Sequence, residues 1–444
     1  MKKYLSIIAV LMLSVCFIFS GCTPKLTMPN GDISSNGGSV VMVGDYVYYA
    51  NTFVDHSSLS GDANTEKTTK QNALYRLKTN EFGYTVKDED NQIQNVEKVY
   101  SKIAGFNNSN MFVVGDYLYF TSPNVHKEDT GADKFDLTTL FRIKLDGTEF
   151  KEILTTKTSQ GKFYLVTEEN PYLLIFDDNK VSKLDIGNKI TDPSVLVENA
   201  LDTVFPKTYG KLSHFFYTTD INKEDKDAGL NGNYLYRYNL SDKTSTSLGK
   251  SGSQTIKLVA FENNTLYYTM PDGSGVSPYY SSTLSGGFGA NQTRWTVLGE
   301  VDGTDSISNF VVINDSCVVY KAESKIFLAQ KGDGELANYS VLIDSDVNIE
   351  TVDGDYVYYS NSDGLYRISY KDKVVQTVAE QKNIKTGSCD IAGEFVYFYA
   401  KLSSDTTGTS YAFRANIKTP GLTTPAIKCE CIATVLAEDL ESEA

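Results

Sequence analysis

A short hairpin pattern recurs along almost the whole chain, and it limits what the chain can fold into. Its clearest copy is residues 350–370, ETVDGDYVYYSNSDGLYRISY. Residues 356–359 are aromatic or β-branched on both faces, which is typical of a strand buried on both sides. Gly354 and Asp355 provide the backbone freedom that a two-residue hairpin turn needs. A third strand at 365–368 and an outer one at 374–379 complete a four-stranded antiparallel unit of about 40 residues, the size of one β-propeller blade.

Variants of this unit can be followed from residue 44 to residue 415. The hairpins start at residues 44, 115, 170, 213, 263, 314, 354 and 393. Their spacing is uneven because loops of different length are inserted. The sequence therefore predicts an all-β fold, a single β-propeller of eight blades with four antiparallel strands each; seven blades is the alternative count.

The elements GDYVYYS, LYRI and LDGT give the chain a family resemblance. It resembles a bacterial lipoprotein propeller domain of unknown function, which is itself similar to the YWTD β-propeller of low-density-lipoprotein receptors. The resemblance covers residues 39–437 and implies the propeller fold. The YWTD tetrad itself is absent, since the matching positions are Tyr358, Tyr359, Ser360 and Asn361. Because propellers host unrelated activities, the resemblance implies no particular function.

The amino terminus has the pattern of a bacterial lipoprotein signal. Lys2 and Lys3 precede an apolar run that is too short to span a membrane comfortably, and Phe19-Ser20-Gly21-Cys22 is similar to a lipobox. We expect a signal peptide at 1–21, an acylated Cys22 with a flexible tether to residue 38, a propeller at 39–437 and an acidic tail at 438–444. This predicts anchoring by lipid, such as palmitate, at the extracytoplasmic face of the cell membrane. An ordinary secretory signal is the alternative.

The charge balance excludes one class of partner. The chain contains 41 Lys and Arg against 56 Asp and Glu, a formal net charge of −15. An acidic protein of this kind is not expected to bind nucleic acid. Repeats along the whole length favour one monomeric domain over several smaller ones.

Four cysteines lie in the predicted propeller. They are Cys317, Cys389, Cys429 and Cys431. The spacing of Cys429 and Cys431 matches neither a redox motif nor a zinc site. An exported protein can form disulfides, and we expect either free thiols or a disulfide from Cys389 to Cys429 or Cys431 that ties the first and last strands of the final blade.

Function is expected on the long connections between second and third strands, which emerge together on one end of the disc. Residues 270–295 combine flexible Gly and Ser with four aromatic residues that could stack on a sugar or peptide: Tyr279, Tyr280, Phe288 and Trp295. The alternative is that these rings pack onto the disc.

Two acidic stretches carry oxygen ligands of the kind that calcium prefers. The first contains Asp220, Asn222, Asp225 and Asp227, and the second contains Asp344, Asp346, Asn348 and Glu350, which would share one face if extended. The first lacks the order of an EF-hand loop. A solvated charge run is the alternative for both, and no cofactor is predicted.

No catalytic pattern stands out. The three histidines, His56, His126 and His214, show no triad or metal spacing. We expect a binding module at the cell envelope that takes a protein, peptide or glycan ligand. The alternatives are a carbohydrate-active enzyme, a glycosidase or lyase with a carboxylate pair at the propeller channel, and a structural scaffold for envelope assembly.

Overall fold

The fold was analysed in a computed structural model. It describes residues 25–53, 72–79, 96–101, 103–104, 111–123, 137–158, 161–186, 190–251, 254–271, 278–283, 292–295, 307–322, 324–332, 337–402, 408–418 and 429–434. Within these residues the strands form eight antiparallel sheets, each built from strands consecutive in the chain. This confirms the predicted single eight-bladed β-propeller.

Blades 1 to 4 account for the first half of the chain. Blade 1 contains β1 (Ile33–Ser35), β2 (Val40–Val43), β3 (Tyr46–Ala50), β4 (Leu74–Lys78) and β5 (Val96–Tyr100). Blade 2 contains β6 (Phe112–Val114), β7 (Tyr117–Pro123), β8 (Thr138–Lys144) and β9 (Lys151–Thr155). Blade 3 contains β10 (Lys162–Val166), β11 (Tyr172–Asp177), β12 (Lys180–Asp185) and β13 (Ser194–Val197). Blade 4 contains β14 (Asp202–Val204), β15 (His214–Asp220), β16 (Asn233–Asn239) and β17 (Thr244–Lys250), with the short helix α1 (Lys223–Asp227) between β15 and β16.

Blades 5 to 8 complete the ring. Blade 5 contains β18 (Lys257–Glu262), β19 (Thr265–Thr269), β20 (Tyr279–Ser282) and β21 (Gln292–Arg294). Blade 6 contains β22 (Ser308–Asn314), β23 (Cys317–Ala322), β24 (Lys325–Gln330) and β25 (Asn338–Ile343). Blade 7 contains β26 (Asn348–Asp353), β27 (Tyr356–Ser360), β28 (Leu365–Ser369) and β29 (Val375–Ala379). Blade 8 contains β30 (Asp390–Ala392), β31 (Phe395–Lys401), β32 (Ser410–Asn416) and β33 (Cys429–Cys431).

The second strand of each blade is buried because blades pack on both of its faces. In β27, Val357, Tyr358 and Tyr359 are all buried. Val357 and Tyr359 face blade 6, whereas Tyr358 packs against blade 8. This alternation explains why the repeat is apolar on both faces of one strand.

A row of three residues across the blade explains the polar positions of the repeat. In blade 7, Tyr358, Arg367 and Gln376 lie opposite one another on β27, β28 and β29. Arg367 donates from Nη1 to the Tyr358 hydroxyl at 3.2 Å and from Nε to Oε1 of Gln376 at 2.7 Å. Its guanidinium lies 4.2 Å from the centre of the Tyr356 ring. The arginine is therefore buried, its Nε and Nη1 donate hydrogen bonds, and the flat face of its guanidinium lies on the Tyr356 ring.

The same row appears in two other blades. It is formed by Tyr48, Arg76 and Glu97 in blade 1, and by Tyr397, Arg414 and Glu430 in blade 8. The carboxylates of Glu97 and Glu430 take the place of the amide of Gln376 and accept from Nε of the arginine.

Residues 25–38, predicted to belong to a flexible tether, pack on the propeller. Leu26 N–H donates to the carbonyl of Asp146 at 3.0 Å, and β1 adds a fifth strand to blade 1 beside β2. The side-chain amide of Asn36 then pairs with the backbone of Val113 in blade 2. Its Nδ2 donates to the Val113 carbonyl at 3.1 Å, and its Oδ1 accepts from the Val113 N–H at 2.7 Å. The prediction of a flexible tether is therefore wrong for these residues: although the segment is rich in Gly, Ser and Asn, its backbone and amide groups find partners on two blades.

The ring closes without an exchange of strands between the two ends of the chain. Asn51 of blade 1 donates from Nδ2 to the carbonyl of Thr434 at 2.8 Å, and its Oδ1 accepts from the Thr434 N–H at 2.7 Å. The Tyr49 hydroxyl donates to the carbonyl of Ile432 at 2.6 Å. The inner strands β2 and β30 also lie side by side. Backbone hydrogen bonds also cross this boundary, from Phe53 N–H to the carbonyl of Ser410 at 2.9 Å and from Ala412 N–H to the carbonyl of Asn51 at 3.0 Å. Side-chain and backbone hydrogen bonds thus join blades 1 and 8 where the chain itself does not.

Among the residues that the structure describes, no helix has the length and apolar character needed to cross a bilayer.

Candidate functional site

A cavity of about 660 Å³ lies at the centre of the ring. Blades 1, 2, 3, 4, 7 and 8 all contribute to its wall. Many of its lining residues lie just before or at the start of an inner strand: residues 35–39, 161–164 and 387–390. Others lie near or just after the end of a second strand: Phe53, Thr121 and Tyr399. In an antiparallel blade these positions share the end that carries the long connections between second and third strands. The cavity therefore lies toward the predicted functional end of the disc.

Glu350 reaches this cavity from blade 7. It is the extra residue of a β-bulge in β26, between Ile349 and Thr351, and the bulge turns it out of the regular pairing. Its Oε1 accepts from the Ser360 hydroxyl at 2.6 Å, and its Oε2 accepts from the Gly387 N–H at 2.8 Å. Burial raises the pKa of its carboxyl, and these hydrogen bonds oppose that rise. Glu350 thus ties blade 7 to the chain that enters blade 8.

Asp390 is the second carboxyl of the cavity and ties blade 8 to blade 1 in the same way. Its Oδ1 accepts from the Ile391 N–H at 2.9 Å, and its Oδ2 accepts from the Val40 N–H of blade 1 at 3.5 Å. Burial raises the pKa of Asp390 as well. A Cβ at Gly38 would come 1.6 Å from Oδ2 of Asp390, so any larger residue there would displace the Asp390 carboxylate. The carboxylate and the glycine together position the start of blade 1 against blade 8.

The opposite wall is formed by the connection between β14 and β15, which folds into the channel. The backbone of Gly210 pairs with Val166 of β10, and the carbonyl of Thr208 accepts from the Tyr164 hydroxyl at 3.1 Å. The ring of Tyr209 lies edge-on to Phe112, 5.8 Å between centroids, and contacts Gly37. Lys207 is exposed and lines the cavity. The cavity therefore has carboxyl groups on the side of blades 7 and 8 and lysines on the side of blades 3 and 4, Lys162 and Lys207.

The aromatic residues predicted for ligand binding lie elsewhere. Trp295 is fully buried, and its indole N–H donates to Oγ of Ser281 at 2.7 Å. Tyr279 stacks on Phe310 of blade 6 at 4.6 Å, and Tyr280 stacks on Tyr268 at 5.8 Å. These three rings therefore pack on the disc, as the alternative interpretation of the sequence had it. Tyr279 and Tyr280 lie on β20 and Trp295 directly follows β21, so all three side chains contact residues of blades 5 and 6. Phe288 lies outside the described residues.

The first acidic stretch forms local ion pairs. Asp225 pairs with Lys250 at 2.7 Å, and Asp220 pairs with Lys226. Asn222 caps α1 by accepting from the Asp225 N–H at 2.9 Å. Asp227 ends the helix and is exposed. Lysines thus neutralise two of the carboxylates that calcium would need, and the calcium site stays a prediction.

The second acidic stretch does not share one face. Asp344 and Asp346 lie in the turn between β25 and β26 and pair with Lys325 at 3.0 Å and Lys321 at 2.7 Å. Glu350 instead enters the cavity. The expectation of a shared face assumed an extended chain, and the turn breaks that alternation. Among the residues described here, no group of three or more His, Cys, Asp or Glu side chains could hold a metal ion.

The four cysteines are free thiols. The predicted disulfide from Cys389 is not formed because Cys389 precedes the inner strand β30, whereas Cys429 and Cys431 lie on the outer strand β33. Three strand spacings of about 4.8 Å separate those edges, well beyond the reach of a disulfide. Burial raises the pKa of the Cys429 thiol to about 12 and that of Cys317 to about 11.

His214 is a structural residue. Its ring packs on Phe216 and Phe261, each 5.2 Å between centroids, and burial lowers its pKa. His56 and His126 lie outside the described residues.

Sequence reasoning missed the cavity because its walls come from distant parts of the chain. Gly38 and Asp390 are 352 positions apart, and no spacing pattern joins them. One signal was present: Glu350 and Asp390 are acidic residues at the inner strand of a blade, next to the apolar residues Ile349 and Ile391. An ionisable group in that position needs a partner, so it could have marked the channel.

Comparison with known proteins assigns the chain to no family. No family model and no curated protein matches the chain. Among solved structures, a prolyl endopeptidase is similar at 12% sequence identity with a TM-score of 0.46, and the match covers 88% of this chain and 55% of that one. The oligogalacturonate lyase of Vibrio parahaemolyticus gives 12% identity and a TM-score of 0.43, covering 68% and 87%. The β-propeller domain of the Trilobed protease from Pyrococcus furiosus gives 13% identity and a TM-score of 0.43, covering 78% and 97%. The chain spans about half the length of the prolyl endopeptidase. At these identities and TM-scores the likeness carries no argument about the function of this chain.

Proposed function

We propose that this protein is an exported, lipid-anchored β-propeller that binds a ligand at the cell envelope, and that the central cavity is its binding site. The observation that carries the proposal is the volume of that cavity, about 660 Å³, at the long-connection end of the disc. Ligand pockets commonly measure roughly 300 to 1,000 Å³.

The lining residues indicate the class of ligand. Phe53, Phe163 and Phe205 provide apolar surface, and Thr208 and Lys207 add polar groups. A mixture of this kind suits a small polar molecule, or the end of a peptide or glycan chain, that places a ring or aliphatic stem on the aromatic residues.

The anchoring element of the proposal rests on the residues before the propeller. The run Phe19-Ser20-Gly21-Cys22 follows a charged start and an apolar segment, as in a bacterial lipoprotein signal. Acyl chains on Cys22 would hold the protein at the membrane with no need for a membrane-binding patch on the propeller.

The test is a glycan and peptide array probed with the mature chain carrying Cys22→Ser, which keeps it soluble. Thr208→Trp fills some of the cavity, and Thr246→Trp adds the same ring at an exposed position on β17, outside it. Binding lost only in Thr208→Trp would support the cavity. Binding equal in both variants would place the site elsewhere, and no binding at all would favour a scaffold role.

A carbohydrate-active enzyme is the second candidate, because Glu350 and Asp390 line one cavity and burial raises the pKa of both. A carboxyl group with a raised pKa can donate a proton closer to neutral pH. The test is chromatography of oligosaccharides incubated with the wild type, Glu350→Gln and Asp390→Asn, with thermal unfolding to verify that both variants fold. Cleavage by the wild type alone would support an enzyme, whereas intact oligosaccharides in every sample would oppose it.

A further inference from the structure

We propose that the end of the disc opposite the long connections faces the lipid bilayer, so that the cavity end points away from it. This orientation rests on the proposed acylation of Cys22. It follows from the path of residues 25–38 rather than from any membrane-binding patch.

The path begins at the end that carries the tight turns. Lys25 pairs with Asp146 at 3.5 Å, and Leu26 N–H donates to the Asp146 carbonyl at 3.0 Å. Asp146 lies in the turn between β8 and β9, a connection from third to fourth strand. In an antiparallel blade that turn shares an end with the turn from first to second strand. The chain therefore enters the propeller at the end that we name the short-turn face.

The next residues stay on the short-turn face. Arg76 donates from Nη1 to the carbonyl of Thr27 at 2.6 Å. Gly44, in the turn between β2 and β3, donates its N–H to the carbonyl of Asp32 at 2.9 Å. A Cβ on Gly31 would lie 2.7 Å from Cα of Gly44, so the two backbones are in close contact. These contacts fix the segment in place.

The chain then crosses to the other end. β1 runs antiparallel to β2 and leads to Asn36, which pairs with Val113 of blade 2. The Gly37 N–H donates to the carbonyl of Met111 at 3.0 Å, and Met111 N–H donates to the carbonyl of Gly38 at 2.9 Å. Residues 36–38 thus reach the cavity end only after the short-turn face has been passed.

The distance to the bilayer is short. Two residues, Thr23 and Pro24, lie between Cys22 and Lys25, so the chain takes three residue steps from one to the other. Even a fully extended chain covers only about 3.3 to 3.6 Å per step. An acylated Cys22 would therefore hold the short-turn face within roughly 10 to 11 Å of the headgroups, whereas a tether that was free up to residue 38 would allow any orientation.

The charges of the short-turn face suit a surface that is held near lipid without binding it. Acidic residues occupy its hairpin turns in five blades: Asp45, Asp116, Asp315, Asp355 and Glu394. Two of them, Asp355 and Glu394, pair with Lys371 and Lys418 on the same face. These turns therefore do not form the kind of basic segment that anionic lipids attract. The anchor and the packing of residues 25–38 would then set the orientation.

The experiment uses two labelled positions at opposite ends of one strand. Asp355→Cys lies in the turn before β27 and Asp363→Cys in the turn after it; both residues are exposed. A five-residue strand separates the two labels by about 17 Å along the disc axis. Full-length protein carrying a fluorophore at either position is reconstituted in vesicles that contain an energy acceptor on the lipid headgroup. The wild type, labelled in the same way, gives the background from its four native thiols.

We expect at least twofold more efficient energy transfer from position 355 than from position 363. Equal transfer, or more from position 363, would overturn the orientation. Sedimentation with the vesicles tests the anchor separately: protein that stays in the supernatant, as Cys22→Ser is expected to do, would overturn the acylation and the orientation with it. Ligand binding by the soluble chain is unaffected by either result.

Discussion

Arg367 donates a hydrogen bond from Nη1 to the hydroxyl of Tyr358 at 3.2 Å, and the two residues lie directly opposite each other on β28 and β27. The guanidinium also covers the ring of Tyr356 and donates to Gln376. Three strands of the blade are thus joined by one side chain. This explains why the sequence repeats Tyr and Arg and not only a hydrophobic pattern.

Arg367→Lys is expected to lower the free energy of unfolding by about 1 to 2 kcal/mol, because lysine cannot make both hydrogen bonds or lie flat on the ring. Urea denaturation measures the change. Arg237→Lys is the matched control, since Arg237 occupies the same strand position in blade 4 but is exposed. Equal losses in the two variants would show that the row contributes nothing specific.

Gly354→Val is expected to destabilise blade 7 by about 1 to 2 kcal/mol, because Gly354 has φ +54° and a β-branched residue is strained there. No atom lies within 4 Å of the added Cβ, so the effect comes from the backbone alone. Gly354→Asn tests this, since asparagine tolerates the left-handed region. Thermal unfolding should give a lower melting temperature for Gly354→Val than for Gly354→Asn, and equal melting temperatures would contradict the explanation.

Asn51→Ala is expected to loosen the closure of the ring, because the side-chain amide of Asn51 makes two hydrogen bonds to the backbone of Thr434. Asn233 makes the same paired contact with Ile256 at 3.0 Å each, but between blades 4 and 5, which the chain connects. The free energy of unfolding should fall by about 1 to 3 kcal/mol in both alanine variants.

Hydrogen exchange distinguishes the two variants. Amide protection of residues 429–434 should fall in Asn51→Ala and stay unchanged in Asn233→Ala. Protection that falls equally in both would mean that the side chain of Asn51 has no special role in closing the ring.

Glu350 gives a pH dependence with a defined sign. Burial raises the pKa of its carboxyl above 4.5 in the folded state, so the native protein binds the proton more tightly than the unfolded chain does. Stability from this group is therefore greatest at low pH and falls as pH rises from 4.5 through the folded pKa. The free energy of unfolding of the wild type minus that of Glu350→Gln should decline over that pH window and level off above it. A difference that rises with pH would contradict the sign.

The sequence was enough to predict the blades, because each depends on local patterns. Turns such as Gly354-Asp355 and the aromatic strand after them are encoded within a few neighbouring residues. Blade 5 follows the same logic without glycine, since Asn263 and Asn264 adopt φ values of +46° and +64° in its turn. Recognising these turns along the chain predicted eight blades with seven as the alternative, and the eight sheets of the structure decide between the two counts.

The cavity could not be predicted in this way, since its walls meet only when the ring closes. Asp390 receives the N–H of Val40 from the other end of the propeller, and Tyr209 enters the channel through a connection that looks like any loop in the sequence. The packing of residues 25–38 was also hidden, because a segment rich in Gly and Asn has the composition of a linker whether or not its backbone finds partners.

Trp295 provides the most direct test of where the aromatic residues of blade 5 lie. It is the only tryptophan of the chain, it is fully buried, and it packs against Tyr267 and donates to Ser281. Its fluorescence should therefore resist quenching by acrylamide in the native state. Trp295→Ala should cost about 3 to 5 kcal/mol of stability, because the lost ring leaves a cavity between blades 5 and 6. Tyr339→Ala, at an exposed position of β25, should cost less than about 1 kcal/mol. Ready quenching of Trp295, or a small cost of its removal, would instead mean that the ring is exposed and free to meet a ligand.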